Sequence, residues 1–459
     1  MVDFEKIELL DGSLSFNIWF LFICIGIFVH FIIQSYQEYR KTGIKVDIWN
    51  STIFQLIILP FIFMYPFCSS YYNFFSIGKD YIYAAQYVEY ALFITLVGYG
   101  CMLLGRWIFD TSSNVKEASL SLLGKIIRIN IENDMGLKVL YAMLTIFYIY
   151  LAIYTFQNDM LFNGRGLALQ FHEYRAVGNF MISVFYLTVL YFGIRILQYK
   201  KNRRTVIVAL IALCLLAFSW GARIHIFMPI LQIAIYYYML NPKIRIKYIV
   251  LAGTIILIGV LILGILRNTY GNTYGNTNDY SFIFVEVIYS LLYGSTFTDC
   301  RDFAWMLSGF HDDFWGGITY VTGMLSFIPS DIWDFRRINS WSVHTTELIG
   351  WFDPYDEHPG LRGGFFAEAF FNFSYIGVIF MGILSGYTLR MADVYMKFYI
   401  NHGGDVIHGY IKGIPYFFVT FFAMTAGMFG MYVFIAFHMI ALCINILYRF
   451  LVRCYGKLE

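Results

Sequence analysis

The sequence lacks the residue patterns that define several common classes of protein. None of its seven cysteines occurs in a Cys-x-x-Cys or Cys/His spacing, and five lie in apolar stretches, so neither a disulfide framework nor a metal site is expected. It contains no Gly-x-x-x-x-Gly-Lys-Ser/Thr phosphate loop, no Asp-x-Asp pair and no Gly-x-Ser-x-Gly elbow. These absences argue against ATP hydrolysis within the chain, against a metal-held nucleotide sugar and against a serine hydrolase.

Charge is also scarce. Charged residues make up 14% of the chain, hydrophobic residues 59%, and the mean hydropathy is +0.62. Apolar runs of about 20 residues, the length that crosses a bilayer, recur from end to end. The pattern predicts an all-α polytopic integral membrane protein, with a retained first helix because a basic leader and a small-residue cleavage site are missing. We predict eleven spans, at 16–35, 52–75, 82–104, 138–156, 178–197, 205–220, 224–240, 248–266, 364–388, 412–428 and 430–450.

The basic residues predict the orientation. Alternate connections hold 22 of the 32 lysines and arginines, and such residues favour the cytoplasmic side, so the N-terminus is expected outside and the C-terminus inside. The net charge of +2 and the sparse basic residues of each span form no nucleic-acid stripe, so a nucleic-acid partner is not expected. The outer face carries eight arginines and two lysines: Lys6, Lys79, Arg165, Arg175, Arg223, Arg267, Arg301, Arg336, Arg337 and Arg362.

This preference for arginine suggests an anionic ligand on the outer face. A guanidinium group is a flat fork of donors that matches phosphate or carboxylate and stays charged when it is partly buried. Pairing with acidic neighbours is the structural alternative for any one arginine. Snorkelling to lipid headgroups would suit lysine equally well and does not explain the choice.

One long hydrophilic stretch, 267–363, divides the chain into spans one to eight (1–266), a large extracytoplasmic loop, and spans nine to eleven with a short tail (364–459). The loop holds five arginines and twelve acidic residues, a net charge of −7. Residues 280–297 are apolar and flanked by polar residues, which is typical of a helix lying along the interface. The many aromatic residues that follow suit either membrane anchoring or stacking on sugar rings.

Three arginines are expected at the outer edge of the hydrocarbon region. Arg223 lies in the predicted turn between spans six and seven, Arg267 ends span eight, and Arg362 precedes span nine. A lipid-linked diphosphate would lie at the same depth, where Gly363 and Gly364 begin a helix with free N–H groups. We therefore interpret these three as diphosphate ligands, with Arg301 as a weaker fourth.

Candidate acid–base residues are expected close to the depth of these arginines. Glu368 lies about one turn into span nine, and an ionisable group inside a membrane is a functional candidate by default. Favourable interaction with the helix dipole, or pairing with Arg362, is the structural alternative. His358 is the second candidate for handling a proton. Weaker candidates are His344, Glu347, Glu357 and Asn372.

Three segments carry a resemblance to a known family. They are Ser-Trp-Gly-Ala-Arg-Ile-His at 219–225, the loop with Gly-Ile-Thr-Tyr at 317–320 and Ser-Phe-Ile-Pro-Ser-Asp at 326–331, and Pro-Gly-Leu-Arg-Gly-Gly-Phe-Phe-Ala-Glu-Ala-Phe-Phe-Asn-Phe at 359–373. With many spans and one large outer loop late in the chain, the sequence resembles the Wzy-type polymerases of O-antigen and capsular polysaccharide.

The resemblance implies a GT-C-like membrane glycosyltransferase of the bacterial cytoplasmic membrane that works on its outer side without a cofactor. Its expected substrates are undecaprenyl-pyrophosphate-linked oligosaccharide repeat units, which it joins with loss of the lipid diphosphate. A chain-length regulator and a flippase are further expected partners, besides the lipid bilayer. Two alternatives stay open: an O-antigen ligase-type glycosyltransferase, and a flippase for lipid-linked oligosaccharides.

Overall fold

Apolar stretches in a bilayer form helices because the hydrocarbon offers no hydrogen-bond partners, so each segment must satisfy its own backbone groups. A computed structural model describes residues 17–44, 47–68, 84–112, 122–132, 135–158, 181, 184–193, 203–218, 230, 233, 299–328, 332–350, 361–403 and 406–455. Every regular element within these ranges is helical. The α-helices are α1 Ile18–Thr42, α2 Ile48–Ile53, α3 Tyr65–Cys68, α4 Val88–Ser112, α5 Leu122–Glu132, α6 Met135–Gln157, α7 Val184–Gly193, α8 Arg203–Phe218, α9 Asp299–Ser308, α10 Ile318–Met324, α11 Asp334–Ile338, α12 Trp341–Leu348, α13 Ala367–Gly403, α14 Val406–Thr420 and α15 Thr425–Tyr455.

Helices lie over nine of the eleven predicted spans. Five of them, within the described ranges, are long and apolar enough to cross a membrane: Ile18–Thr42, Val88–Ser112, Met135–Gln157, Ala367–Phe398 and Thr425–Cys454. Shorter apolar helices cover parts of the others, at Ile48–Phe63, Val184–Gly193, Arg204–Ala217 and Ile411–Ala423. Apart from residues 230 and 233, the predicted spans 224–240 and 248–266 lie outside the described residues, as does the predicted interfacial helix 280–297. The membrane-embedded, all-α class follows from these helices, whereas the number of spans and their orientation stay predictions.

Capping residues determine where the first two helices begin and end. The side chain of Asn17 accepts a hydrogen bond from the N–H of Trp19 at 3.0 Å, which satisfies a free donor at the start of α1. Gly43 ends α1 in the left-handed region, at φ 71°. Asp47 caps α2 by accepting from the N–H of Asn50 at 2.7 Å. A π-helical stretch, Phe54–Phe63, continues α2.

The described residues fall into two compact units. The first is drawn from 1–116, 284–397 and 413–431, and the second from 117–283, 398–412 and 432–459. In the first unit, α4 and α13 approach closely at glycines. A methyl group at Gly105 would lie 2.1 Å from the carbonyl oxygen of Ile383, and one at Gly386 would lie 2.1 Å from that of Met102. Small residues of this kind let membrane helices pack backbone to backbone.

Buried polar side chains join the helices of the second unit. His438 of α15 lies 2.6 Å from the hydroxyl of Tyr191 on α7, and its carbonyl accepts from Asn130 of α5 at 2.8 Å. Asn445 accepts from the N–H of Gly136 at 2.8 Å. Because these groups satisfy one another inside an apolar bundle, they specify which helices pair.

Candidate functional site

Glu368 carries a carboxylate that is buried near the start of a long apolar helix. Glu368 is the second residue of α13, and only 3% of its surface is exposed. Its Oε1 accepts from the hydroxyl of Thr319 at 2.7 Å, and its Oε2 accepts from the N–H of Thr425 at 2.8 Å. Among the described residues, no lysine, arginine or histidine forms an ion pair with it. The carboxylate is therefore positioned by neutral donors alone.

Asn372 orients the hydroxyl that bonds to this carboxylate. Its Nδ2 donates to Oγ1 of Thr319 and to the carbonyl oxygen of Glu368, both at 2.8 Å. Since the Thr319 oxygen accepts from Asn372, its own hydrogen points to Glu368. Asn372 is 1% exposed, and its Oδ1 has no hydrogen-bond partner among the described residues. An unpaired buried amide oxygen is costly and frequently marks a functional site.

A break in α13 makes this arrangement possible. Phe373 and Ser374 leave the helical conformation, and Ser374 has φ 55° and ψ −152°. The break frees the carbonyl oxygens of Phe371 and Asn372, which accept from the N–H groups of Trp315 and Gly316 at 3.0 and 3.1 Å. A strained, non-glycine residue at positive φ is held only by such surrounding contacts, and these residues concentrate at functional sites.

The loop that docks on the break also delivers Thr319. Gly317 adopts φ 89° and begins α10, which places Thr319 in its first turn. A methyl group at Gly317 would lie 2.6 Å from Cζ of Phe373, so a larger residue would push the loop from the break. The site thus combines the short helix α10, the turn before it and the interrupted helix α13, and α10 and α13 are far apart in the sequence.

Arg301 and Arg362 meet through one acidic residue. Asp302 accepts from Nε and Nη2 of Arg301 at 3.0 and 2.8 Å, and from the backbone N–H of Arg362 at 3.1 Å. Arg301 and Asp302 are buried, whereas the side chain of Arg362 is exposed. Arg362 is therefore the better placed of the two to bind a ligand. The predicted roles of both as diphosphate ligands remain predictions.

Asp299, at the start of α9, adds a group that titrates near neutrality. Burial raises the pKa of its carboxyl to about 7, the nearby Arg362 opposes the rise, and Asp302 adds to it. Protonation of Asp299 changes the net charge around Arg362, so it couples pH to the part of the site that suits an anion.

Three predicted site residues, His358, Arg223 and Arg267, lie outside the described residues, so the proposed group of three arginines stays a prediction. Among the weaker candidates, His344 stacks on Trp315 with 4.8 Å between ring centres. Its Nδ1 lies 3.6 Å from an oxygen of the exposed Glu347, and burial lowers the pKa of the His344 imidazole. His344 is therefore a packing residue, with its ring against Trp315.

Several loop aromatics pack in the protein interior. Trp315 stacks on Phe371 as well as on His344, and Trp341 lies 5.7 Å from it in an edge-to-face contact. Trp305 is buried in the same core. Trp315 and Trp341 thus support the break in α13 through their ring contacts with Phe371.

A buried ion network is the feature that sequence reasoning missed. Nζ of Lys397 lies 2.6 Å from Asp47, 2.6 Å from Asp393 and 3.1 Å from Glu38. Arg390 bonds to Glu38 at 3.0 Å and to Asp393 at 3.1 Å. Arg106 and Asp110 of α4 complete it.

From the sequence, Arg106, Arg390 and Lys397 are expected in cytoplasmic connections, because the predicted spans end at 104 and 388. The helices continue to Ser112 and Gly403, so these three residues are helical and their side chains are largely buried. The spacing of Arg390, Asp393 and Lys397, three and four residues apart, was the available signal. Oxygens of Glu38, Asp47 and Asp393 lie within 4.8 Å of one another, the spacing of a metal site, but the Lys397 ammonium group lies among them.

The described candidate residues are thus a buried carboxylate with neutral donors near the start of a broken helix and, just before that helix, an exposed arginine whose backbone is held by Asp302. This geometry is compatible with transfer chemistry on a substrate that has both a hydroxyl and an anionic group. No family model, curated protein or solved structure significantly matches this chain.

Proposed function

We propose that this protein is a membrane glycosyltransferase that joins oligosaccharide repeat units carried on undecaprenyl pyrophosphate, as its resemblance to the Wzy-type polymerases implies. The reaction would take place on the outer side of the bacterial cytoplasmic membrane. The observation that carries the proposal is the Glu368 carboxylate, which is buried without a cation and oriented by Thr319 and the N–H of Thr425. A carboxylate paired with a cation would be a weaker base, because the positive charge stabilises its ionised form.

Glu368 would accept the proton of the acceptor hydroxyl. As that oxygen bonds to the anomeric carbon of the donor glycan, the bond from this carbon to the diphosphate oxygen breaks, and the lipid diphosphate leaves with its negative charge. The Glu368 carboxylate accepts from the hydroxyl of Thr319 and from both the N–H and the side chain of Thr425, and its two oxygens together keep capacity for a further acceptor interaction. A substrate hydroxyl can therefore donate a hydrogen bond to the Glu368 carboxylate without loss of the Thr319 bond.

Arg362 would stabilise the charge that develops on the departing diphosphate. Its guanidinium is exposed, and its backbone is held by Asp302, which also binds Arg301. Arg223 and Arg267 are proposed as further ligands, and His358 as an alternative proton acceptor, on sequence grounds. No cofactor takes part in this proposal.

Replacement of the carboxylate tests the proposal. In a strain whose gene is deleted, the chain with Glu368→Gln should leave the surface glycan at single repeats, whereas the wild-type chain should restore long polymer. Glu132→Gln is the matched control, because it makes the same chemical change on an exposed residue at the end of α5, outside the candidate site. Full-length polymer from Glu368→Gln, at an equal protein level in the membrane, would remove Glu368 from the reaction.

The ion network supports a second candidate, a flippase that couples the passage of lipid-linked oligosaccharide to a cation or proton gradient. Buried ionisable residues inside a membrane often mark such pathways. The deletion strain separates the candidates. Lipid-linked repeats trapped on the inner leaflet indicate a flippase, single-repeat surface glycan indicates a polymerase, and long polymer left on its lipid carrier indicates the ligase-type enzyme.

A further inference from the structure

Large apolar side chains are exposed on the loop segment that contains α10 and α11. Phe327 is 60% exposed and Ile332 is 77% exposed, although both lie in the part of the chain with the highest content of acidic residues. Monomeric proteins in water rarely expose contiguous apolar surface of this kind, so something covers it. The exposed residues, here called the α10–α11 surface, are Val321, Met324, Phe327, Ile332, Phe335 and Ile338.

Helix α10 has two distinct sides. Thr319 and Thr322 are buried, and Thr322 donates to the carbonyl oxygen of Asn339 at 3.1 Å. Val321 and Met324, three residues apart, share the opposite, exposed side. The buried side holds the Glu368 site, so the exposed side faces away from it.

The α10–α11 surface lies beside a helix with exposed apolar residues of its own. Helix α10 contacts that helix through Tyr320, whose ring stacks on Phe373 with 5.9 Å between centres and whose hydroxyl donates to the carbonyl oxygen of Ala423 at 2.9 Å. Phe373 is itself exposed, and Ile376, just past the break in α13, is 78% exposed. Both belong to a helix that is long and apolar enough to cross a membrane, where exposed apolar side chains are expected to face lipid.

Helix α11 divides apolar from cationic residues in the way that an interface requires. Phe335 and Ile338 lie three residues apart on one side, whereas Arg336 and Arg337 lie on the other. Arg336 donates to the carbonyl oxygen of Ile328, which ties the helix to the preceding turn. Arginines beside an immersed apolar face meet the phosphates of the lipid headgroups.

We propose that the α10–α11 surface is immersed in the bilayer leaflet next to Glu368, with its apolar side chains among the acyl chains and α11 at the headgroup level. The occupant is the lipid leaflet itself, because helix α10 packs through Tyr320 on the exposed Phe373 of a helix long and apolar enough to cross a membrane, and because α11 carries arginines opposite its apolar side. The segment therefore forms a short membrane-embedded surface within a loop whose composition is hydrophilic. If the proposed function also holds, a lipid-linked substrate reaches Thr319 and Glu368 without leaving the leaflet.

Depth measurements on the full-length chain test this proposal independently of any activity. Cys443 and Cys454, the exposed native cysteines of the described residues, are first replaced by serine. Single cysteines are then introduced by Met324→Cys and Ile332→Cys, labelled with an environment-sensitive fluorophore and reconstituted in vesicles. Ile376→Cys serves as the lipid-facing control and Asp313→Cys as the exposed polar control in the same loop. Emission is compared in brominated lipid and in aqueous iodide.

We expect the labels at positions 324 and 332 to lose emission in brominated lipid to the same extent as the label at 376, and to resist iodide. Quenching by iodide equal to that at position 313 would place the surface in water and overturn the proposal. Protection from both quenchers would show that protein, from a second copy or a partner, covers the surface, and would overturn it as well. Because the labelled chains need no turnover, a failed polymerase assay leaves this result unaffected.

Discussion

At the scale of single residues, the site depends on the direction of the hydrogen bonds around the Glu368 carboxylate. Asn372 donates to Thr319, and Thr319 donates to Glu368, so the hydroxyl hydrogen has one direction. The sequence identified Glu368 by its position near the start of an apolar run, and it named Asn372 as a weaker candidate. Thr319 belongs to the Gly-Ile-Thr-Tyr segment that carries the resemblance, but its bond to Glu368, 49 residues later, could not be predicted from the sequence.

Thr319→Val should impair the site while it keeps the shape of the side chain nearly unchanged. The substitution leaves Glu368 and Asn372 each without one buried partner, and we expect a loss of stability of about 1–3 kcal/mol and shortened glycan. Thr345→Val is the control, since that buried hydroxyl bonds only within its own helix, to Ser342 at 3.0 Å. Thermal unfolding in detergent and the glycan ladder measure both effects. Equal unfolding temperatures and equal glycan ladders of the two variants would contradict this role of the Thr319 hydroxyl.

The pH dependence of stability should reveal Asp299. Its pKa is about 7 in the folded chain, above the value near 4 of an unfolded aspartate, so the folded state holds the proton more tightly. This contribution to stability is complete below about pH 4 and is lost as the pH rises through 7; between pH 5 and 8 the loss is at most about 2.5 kcal/mol. Asp299→Asn should flatten this part of the stability curve. An unchanged slope in the variant would assign the pH dependence to other groups.

At the scale of elements, the interruption of α13 determines where the loop with Trp315 and Gly316 docks. The amino acids around Phe373 and Ser374 include neither proline nor a glycine pair, so local sequence does not predict a break there. Instead, the N–H groups of Trp315 and Gly316 take over the freed carbonyls. Propensity and periodicity describe a chain segment by itself, whereas this break requires another segment to satisfy its backbone.

Two neighbouring glycines separate backbone strain from contact with the break. Both are in the left-handed region, at φ 60° for Gly316 and 89° for Gly317, so alanine costs about 1–2 kcal/mol at either position. A methyl group at Gly316 meets nothing within 4 Å, whereas one at Gly317 meets the ring of Phe373. Gly317→Ala should therefore lower the unfolding temperature more than Gly316→Ala and should also reduce polymer length. Equal effects on both measurements would show that the contact with Phe373 is unimportant.

At the scale of the whole molecule, the two polar centres on α13 are of different kinds. Glu368 near its first residues has neutral partners, and the ion network near 390–397 has mutually compensating charges. From the break at Ser374 to Arg390 the helix rises about 24 Å at about 1.5 Å per residue, which is most of the thickness of a bilayer's hydrocarbon core. The largely buried network of four acids and three bases links α1, the cap of α2, α4 and α13 within the first unit.

Lys397→Met should destabilise the protein strongly, because it leaves three carboxylates facing one another without their common cation. Removal of one member of a buried ion pair typically costs about 3–5 kcal/mol. Arg128→Met is the control, since the Arg128–Glu132 pair is about half exposed and should contribute less than about 1 kcal/mol. Unfolding temperatures of the purified variants test the difference. If Lys397→Met remains as stable as Arg128→Met, the network is not structural.

The elements differ in how far the sequence predicted them. Helices lie over the predicted spans 16–35, 138–156 and 430–450, because a membrane helix needs a long apolar run and no distant partner. The ends were less predictable: α4 and α13 continue past their apolar runs into charged residues, which pair inside the protein. Arg106, Arg390 and Lys397 thus looked like loop charges, since composition does not show whether a charged side chain has a buried partner.

The sequence by itself determined the membrane-embedded, all-helical class and the candidacy of Glu368, because hydrophobic length and an acidic residue in an apolar run are local properties. Only the tertiary structure decided that Thr319 and Thr425 hold that carboxylate, that Asp302 joins Arg301 to Arg362, and that Lys397 lies among three acids. Each of these contacts joins residues distant in the chain. Their geometry depends on helix packing and on a broken backbone, and neither leaves a periodic pattern in the sequence.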